Sequence, residues 1–572
     1  MMIPAITDSA DLDPGLICAI AAGRGTRDAT PAGGAPDTPA TAGSAPDAGA
    51  GVAGAPDGWT LPGPVLRLGP ELLGEVQRRC EQARAVLRGG DPVYGVNTGM
   101  GALSGVRLTG PQQLAHQRNL MLARATGGPP WLGAADVRAI FAVRLRTFLA
   151  GDAGVSGQLC QRLADFLNAG IVPAVPRAGA GSAGEIIPLA HAFGPLAGIG
   201  QVLGPGGEVR PAAEALASHG LGEFALGPKE GIALLAGVPG ATALSVLRAA
   251  ETDAVMAMME AAAGLSIVAA GASRDPYSAA CARGDDVLAG VLGRLRALIG
   301  DGTSGEGRTA GEGNADDAGA PGHGGALGHG GAPAGRAGGA ALQAPVSFRV
   351  AGTVLTQVRR ARDALTAAIG RALAGVTDSP AFLDGRFVGT AGFHGIDLAA
   401  HCDQLTAALA HAAEVSAARL HRLLDPRVTG LPAQLARTPG PDTGLVTVHK
   451  RAAGEVHAMR RLATATAVGL IETSGGQEDV QSFAWAAAET LRAALRHARS
   501  VTACELLAAS HAVALAGGPA PPGCRGVLGW LAGLVEPITA DRPFGADIER
   551  ILRAPWPGTG GQSRWPAGGT GE

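Results

Sequence analysis

Aromatic residues make up only 3% of this 572-residue chain, whereas glycine alone supplies 90 residues. A core with so few large rings must be closed by Ala, Leu and Val at short helix-to-helix distances, which favours helix over sheet. A surplus of one charge is missing as well: 46 Lys and Arg face 49 Asp and Glu, for a net charge of -3. That balance excludes the electrostatics that recruit nucleic acid. Cys-x-x-Cys pairs are absent from the seven scattered cysteines (Cys18, Cys80, Cys160, Cys281, Cys402, Cys504 and Cys524). Neither a disulfide framework nor a zinc site follows, and a reducing compartment fits. The 13 histidines contain no His-Glu-x-x-His or comparable ligand run, so no metal is expected. His394, His401 and His411 share a region as isolated helix residues. No apolar run is read as reaching the roughly 18 to 20 residues that cross a bilayer. The short run 15–22 follows Asp8, Asp11 and Asp13 rather than basic residues, so neither a signal peptide nor a membrane partner is expected. The expected location is cytoplasmic. Length alone allows several ordinary domains or one large helical assembly.

What is present is organised by two low-complexity stretches. Residues 27–57 are almost wholly Ala, Pro, Gly, Asp, Thr and Ser, a composition too poor in apolar surface to offset the cost of ordering a backbone. Residues 301–341 carry Gly-Glu-Gly and Gly-His-Gly-Gly and read as a flexible surface insertion, with His323 and His329 as solvated residues rather than ligands. Elsewhere the periodicity is helical. Leu405, Leu409, Ala412, Val415, Leu420, Leu423 and Leu424 recur at steps of three to five residues, with Glu414, Arg419 and Arg422 between them. Similar patterns run through 231–263, 287–299, 353–373 and 451–472. Strand signals are few, at 64–68 and 386–388, so the fold class is mainly α.

Two segments carry chemistry. Val93-Tyr94-Gly95-Val96-Asn97-Thr98-Gly99-Met100-Gly101 places one of the chain's two tyrosines in a glycine-rich loop, where the backbone takes positive φ and lets another group approach. Gly179-Ala180-Gly181-Ser182-Ala183-Gly184-Glu185-Ile186-Ile187-Pro188-Leu189-Ala190-His191 is a small-residue turn feeding a helix whose start presents free N–H groups and a positive dipole end. Each alone also has a purely structural reading, as a tight loop and as a close-packed helix entry.

Together they resemble the aromatic amino acid ammonia-lyase family of the histidine and phenylalanine type, whose signatures are Tyr-Gly-Val-Asn-Thr-Gly-Phe-Gly and Gly-Ala-Ser-Gly-Asp-Leu-Ala-Pro-Leu-Ala-His. Further segments follow in the family's order. Lys229-Glu230-Gly231-Ile232-Ala233-Leu234 is similar to Lys-Glu-Gly-Leu-Ala-Leu, and Gln343-Ala344-Pro345-Val346-Ser347-Phe348-Arg349 to Gln-Asp-x-Tyr-Ser-Leu-Arg. Gly392-Phe393-His394-Gly395 is similar to Asn-Phe-His-Gly, and Ser474-Gly475-Gly476-Gln477-Glu478-Asp479 to Ser-x-x-Gln-Glu-Asp. The resemblance spans about 59–515. It implies a long central helical bundle of the ammonia-lyase and fumarase type with a small N-terminal α+β portion. The implied division is an unordered extension at 1–58, a catalytic-loop region at 59–225, the bundle at 226–515 and a C-terminal segment at 516–572.

The resemblance also implies a homotetramer with shared active sites that eliminates ammonia from an aromatic or histidine-like α-amino acid. No external cofactor is implied; the family's electrophile is a methylidene-imidazolone built from an internal Ala-Ser-Gly. Tyr94 would be the base at the β-carbon, Arg349 the bidentate anchor of the carboxylate, Phe393 a wall residue, and Gln477 and Glu478 the polar wall. A tyrosine hydroxyl ordinarily titrates at about 10, so a tyrosine base needs nearby positive charge or a helix end.

The chain departs from the family at the electrophile. Counting back from Pro188-Leu189-Ala190-His191, the triad falls on Ser182-Ala183-Gly184, with alanine where serine must lose its hydroxyl. A one-residue shift makes Gly181-Ser182-Ala183 the triad and turns Gly184 into an insertion. Ala236, Val346 and Gly392 replace an asparagine, a tyrosine and an asparagine, and Ala123-Arg124 replaces a Ser-His pair. Arg124 adds a cation that either holds an acidic substrate group or acts on Tyr94; an exposed helix arginine is the bland alternative. Three functions are therefore open: ammonia elimination, acid/base chemistry without the electrophile (isomerase, dehydratase or cyclase), and a non-catalytic homologue binding a carboxylate ligand.

Overall fold

The computed structural model of the protein describes residues 5–23, 65–179, 183–300, 343–469 and 471–556. The stretch 27–57, the insertion 301–341 and Ser182 lie outside the described residues. The N-terminal part comprises α1 (Pro14–Ala22), α2 (Pro70–Arg88), α3 (Gly110–Arg124), α4 (Ala134–Leu149), α5 (Gly157–Ala169), α6 (Ile186–Phe193) and α7 (Ala212–Ser218). Then follow α8 (Glu230–Leu235), α9 (Pro239–Ala269), α10 (Asp286–Ile299), α11 (Val346–Arg349), α12 (Ala351–Ala374) and α13 (Ile396–Leu423). The chain continues through α14 (Pro426–Thr429), α15 (Val446–Leu462), α16 (Ala484–Ala516), α17 (Pro522–Ala532) and α18 (Phe544–Arg553). The fold is mainly α, as the periodicity implies.

Local chemistry sets many of the boundaries. Thr109 and Gln112 form a reciprocal capping box at the start of α3, and Ser156 accepts from the Leu159 N–H to begin α5, which ends on Gly170 in the left-handed region. Sheet is marginal. Strands β1 (Val172–Pro173), β2 (Gln201–Leu203) and β3 (Val209–Pro211) form one antiparallel sheet, and β4 (Ala381–Leu383) pairs with β5 (Arg386–Val388). The strand expected at 386–388 is therefore present, whereas that at 64–68 is reduced to a single bridge between Ile6 and Leu68.

Helices α9, α13 and α16, of 31, 28 and 33 residues, pack on one another as the core of the bundle, with α12, α15, α10 and α4 around them. Their buried faces are largely alanine and leucine, which brings backbones close without large rings. A buried polar node locks the centre: fully buried Glu505 on α16 accepts from Ser266 on α9 at 2.8 Å and from Arg419 on α13 at 2.7 and 2.9 Å.

Three sequence expectations need correction. The apolar stretch through α8 and α9, residues 230–269, is long and apolar enough to cross a membrane by length and composition, yet 89% of its most apolar window is buried against the other helices. Residues 1–58 are not unordered throughout: α1 begins on the Asp13 cap and buries Ile17, Ile20 and Ala21. The helix expected over 451–472 stops at Leu462, because Thr466 turns back to donate its N–H and hydroxyl to Asp403 on α13, both at 2.7 Å.

Candidate active site

The loop carrying Tyr94 is held from inside. Buried Asn97 accepts from the Val93 N–H at 2.7 Å and donates to the Asp91 carbonyl at 2.7 Å. Gly95 has φ +68° and sits where an added Cβ would lie 2.2 Å from Ile232 Cδ1, so the close approach of the loop to α8 requires glycine. Gln117 on α3 bridges the two elements, donating to the Gly95 carbonyl at 3.1 Å and accepting from the Ile232 N–H at 3.0 Å. The Tyr94 ring is left exposed, and its hydroxyl accepts from the Gly101 N–H at 2.8 Å.

The Lys229-Glu230-Gly231 run is scaffold. Lys229 is buried and paired with Asp378 at 2.6 Å; burial holds the lysine below and the aspartate above their ordinary ranges, each opposed by the other's charge. Glu230 accepts from the Ser156 hydroxyl and N–H at 2.6 and 3.1 Å. Both fix the turn that α8 makes under the Tyr94 loop.

The second loop is fixed at the N-terminus of α9. Glu185, the residue before α6, turns its carboxylate away from its own helix and accepts from the Gly240 and Ala241 N–H groups at 2.7 and 2.6 Å, capping α9. Burial pushes its pKa up to about 7, against the two backbone hydrogen bonds and the nearby Arg144 charge. Arg144 is itself fully buried between Phe148 and Phe193 and donates to the Ala236 carbonyl at 2.5 Å; burial lowers its pKa to about 10. Gly240 cannot be larger, since a Cβ there would lie 2.2 Å from the Trp485 ring.

These contacts gather several sequence-predicted residues. The Ala183 N–H donates to Glu478 Oε2 at 3.1 Å, and the same oxygen accepts from the Thr473 hydroxyl at 2.9 Å. A Cβ on Gly184 would lie 3.8 Å from the Phe393 carbonyl and 4.0 Å from its ring. The 3-10 turn at Gly101–Leu103 packs on that at Ser474–Gly476, joining the Tyr94 loop to the segment of Gln477 and Glu478. Gln477 is exposed and Glu478 half-buried. Arg124, the last residue of α3, lies 3.8 Å from Met100 Sδ and senses the charges of Tyr94 and Glu478. One chain thus brings Tyr94, Arg124, Ala183, Gly184, Phe393, Gln477 and Glu478 to one end of the bundle.

Arg349 stands elsewhere. It is exposed on α11 and bonded to Gln343, and α11 is tied to the distal end of α9: Ser347 accepts from Arg419, which binds Glu505 and through it Ser266. From Gly240 to Ser266 the helix runs about 39 Å. Arg349 therefore does not reach the Tyr94 loop of its own chain. The sequence reading missed Glu185 as a cap, Gln117 as a bridge, and buried Arg144; a glutamate inside a glycine-rich turn and a glutamine beside Asn119-Leu120 were the only signals.

Loops of small residues gathered at one end of a long three-helix core define the ammonia-lyase and aminomutase class of fold. Tyrosine aminomutase of Streptomyces globisporus superposes with a TM-score of 0.75 over 85% of this chain and 91% of its own, at 26% identity. Histidine ammonia-lyase of Trypanosoma cruzi, 22% identical, shares the fold with a TM-score of 0.74 over 86% and 88% of the two chains. In sequence, the histidine ammonia-lyase of Streptomyces avermitilis is 35% identical over 79% of this chain and 85% of its own, and that of Symbiobacterium thermophilum 31% over 85% and 91%. The profile described as aromatic amino acid lyase matches residues 60–529. The chain belongs to the aromatic amino acid lyase family, and by that membership it is an ammonia-lyase-type enzyme, a carbon–nitrogen lyase.

Proposed function

We propose that this chain removes ammonia from an aromatic or histidine-like α-amino acid, with Tyr94 taking the β-proton at a site completed by a second copy. The observation that carries the reading is that the Tyr94 loop packs on α8, next to the start of α9, whereas α11 with Arg349 is tied to the other end of α9, whose axis runs about 39 Å from Gly240 to Ser266. A carboxylate anchor for a substrate at Tyr94 then comes from Arg349 of another subunit, as in a homotetramer with shared sites. Exposed Leu103, Val106, Ile471 and Val480, close in sequence to the Tyr94 and Glu478 turns, give that neighbour an apolar surface to cover. Phe393 walls the site beside Gly184, and Glu478, on the Ala183 N–H, fixes the turn at the front of the pocket with Gln477 beside it. The substrate is a small amino acid or carboxylate, and the location is cytoplasmic.

The family's protein-derived electrophile does not fit the residues in the register set by α6. Ala183, whose N–H is held by Glu478, has no hydroxyl to lose. This favours a second reading, acid/base chemistry at Tyr94 alone (an isomerase, dehydratase or cyclase) or ligand binding without turnover. The test is to incubate the purified protein with aromatic and histidine-like α-amino acids and follow ammonia and the ultraviolet band of an α,β-unsaturated acid. Product that falls by about 10²- to 10⁴-fold in Tyr94→Phe supports the proposal. Ammonia-free turnover favours the second reading, and product unaffected by Tyr94→Phe overturns the role of Tyr94.

A further inference from the structure

Among the described residues Arg124 is a cation without an ion-pair partner. No carboxylate among them lies within 4.0 Å of its guanidinium, whereas buried Arg248 pairs with Asp136 at 2.7 Å and half-buried Arg138 and Arg177 donate to the Ile20 and Trp131 carbonyls at 2.8 and 2.9 Å. Among the described residues its neighbour at bonding distance is the Met100 sulfur, a weak acceptor that leaves most of its five N–H donors without a partner there. The charge is half-withdrawn from water at the C-terminal end of α3 and close to both Tyr94 and Glu478. Glu478 makes no ion pair with it within 4.0 Å, its Oε2 accepting from Ala183 and Thr473 instead. His116, two turns earlier on α3, carries an enclosed Nε2 with no hydrogen-bond partner among the described residues, and burial and the Arg124 charge lower its pKa, which disfavours a second cation beside Arg124.

A partly desolvated guanidinium beside Tyr94, without an ion-pair partner among the described residues, is completed by a planar oxyanion, which it holds through two parallel hydrogen bonds. We propose that Arg124 binds a second acidic group on the substrate, so that the substrate class is an amino acid whose side chain ends in a carboxylate. The inference rests on the placement of the reacting carbon at Tyr94. If Arg349 of another subunit takes the α-carboxylate, Arg124 of this one takes the side-chain carboxylate. The same chemistry at Arg124 could also be supplied by the α-carboxylate, and ligand choice separates the two sources.

The experiment is a binding titration of the purified, assembled protein with cinnamate and 4-carboxycinnamate, which differ only in the distal carboxylate. A charge-assisted bidentate pair of this exposure gives 4-carboxycinnamate about a 10- to 100-fold advantage. Arg124→Leu abolishes that advantage and leaves cinnamate within about threefold, whereas Arg124→Lys keeps part of it. Equal affinities in the natural protein, no binding of 4-carboxycinnamate at millimolar concentration, or equal loss of both ligands in Arg124→Leu would each overturn the proposal; equal loss assigns the α-carboxylate to Arg124. Because binding is read without turnover, inactivity of the protein tests the elimination reading separately from this one.

Discussion

Replacing Glu185 by glutamine is expected to change the pH dependence of stability in a way fixed by burial. In the folded chain the Glu185 pKa rises from 4.5 to about 7, chiefly through desolvation. Between those values the folded state holds a proton that the unfolded chain releases, so the unfolded state binds fewer protons and stability falls as pH rises. A shift of that size corresponds to about 3 kcal/mol, lost progressively up to the folded pKa and constant above it. Glutamine does not titrate and retains one oxygen to accept from the N-terminus of α9. Other titrating groups are common to both proteins and cancel in the comparison. Urea unfolding followed by tryptophan fluorescence, with Trp485 packed beside the capped turn, measures both proteins near pH 5 and near pH 8. Relative to the natural chain, Glu185→Gln should gain about 2.5 kcal/mol between the two conditions, since part of the effect is already lost at pH 5. A pH-independent difference, or one of opposite sign, would refute the assignment of a buried, reluctantly ionised cap.

Other substitutions test the scaffold and the site. Lys229→Met leaves Asp378 buried without its cation and is expected to lower stability by about 3 to 5 kcal/mol in the same unfolding assay, whereas the double change with Asp378→Leu recovers much of the loss. Gly231→Ala places a Cβ 2.4 Å from the Gln117 carbonyl and 2.8 Å from its Cα, so α8 and α3 must separate; a fall of several degrees in melting temperature is expected together with weakened activity through the Tyr94 loop. An intact mass equal to the sequence value is expected with Ala183 in the central position; a loss of two waters would place the modified serine at Ser182 and restore the electrophile.

The long helices were legible because their apolar spacing repeats over many turns: 405–424 reads as a helix face, and α13 follows it. The break at 236–238 between α8 and α9 was blurred, since Ala-Gly-Val-Pro continues an apolar pattern and only the Pro239 start separates the helices. Tyr94, Ala183 and Glu478 were legible as motifs, but their meeting was not. Glu478 and Ala183 are 295 positions apart, Glu185 caps a helix 55 positions away, and Lys229 pairs across 149; local pattern carries no information at those separations. Arg349 illustrates the opposite limit: its motif names a role at the Tyr94 site, and the resemblance implies that sites are shared, but only the length of α9 keeps it from the Tyr94 loop of its own chain.

The most direct test of a site shared between copies is co-expression of Tyr94→Phe with Arg349→Ala, each inactive alone, assayed by formation of the unsaturated acid. If Tyr94 and Arg349 serve one site from different subunits, random mixing restores about a quarter of the natural activity. If both residues act from the same chain, every site in the mixture lacks one of them and the activity stays at the level of the single variants.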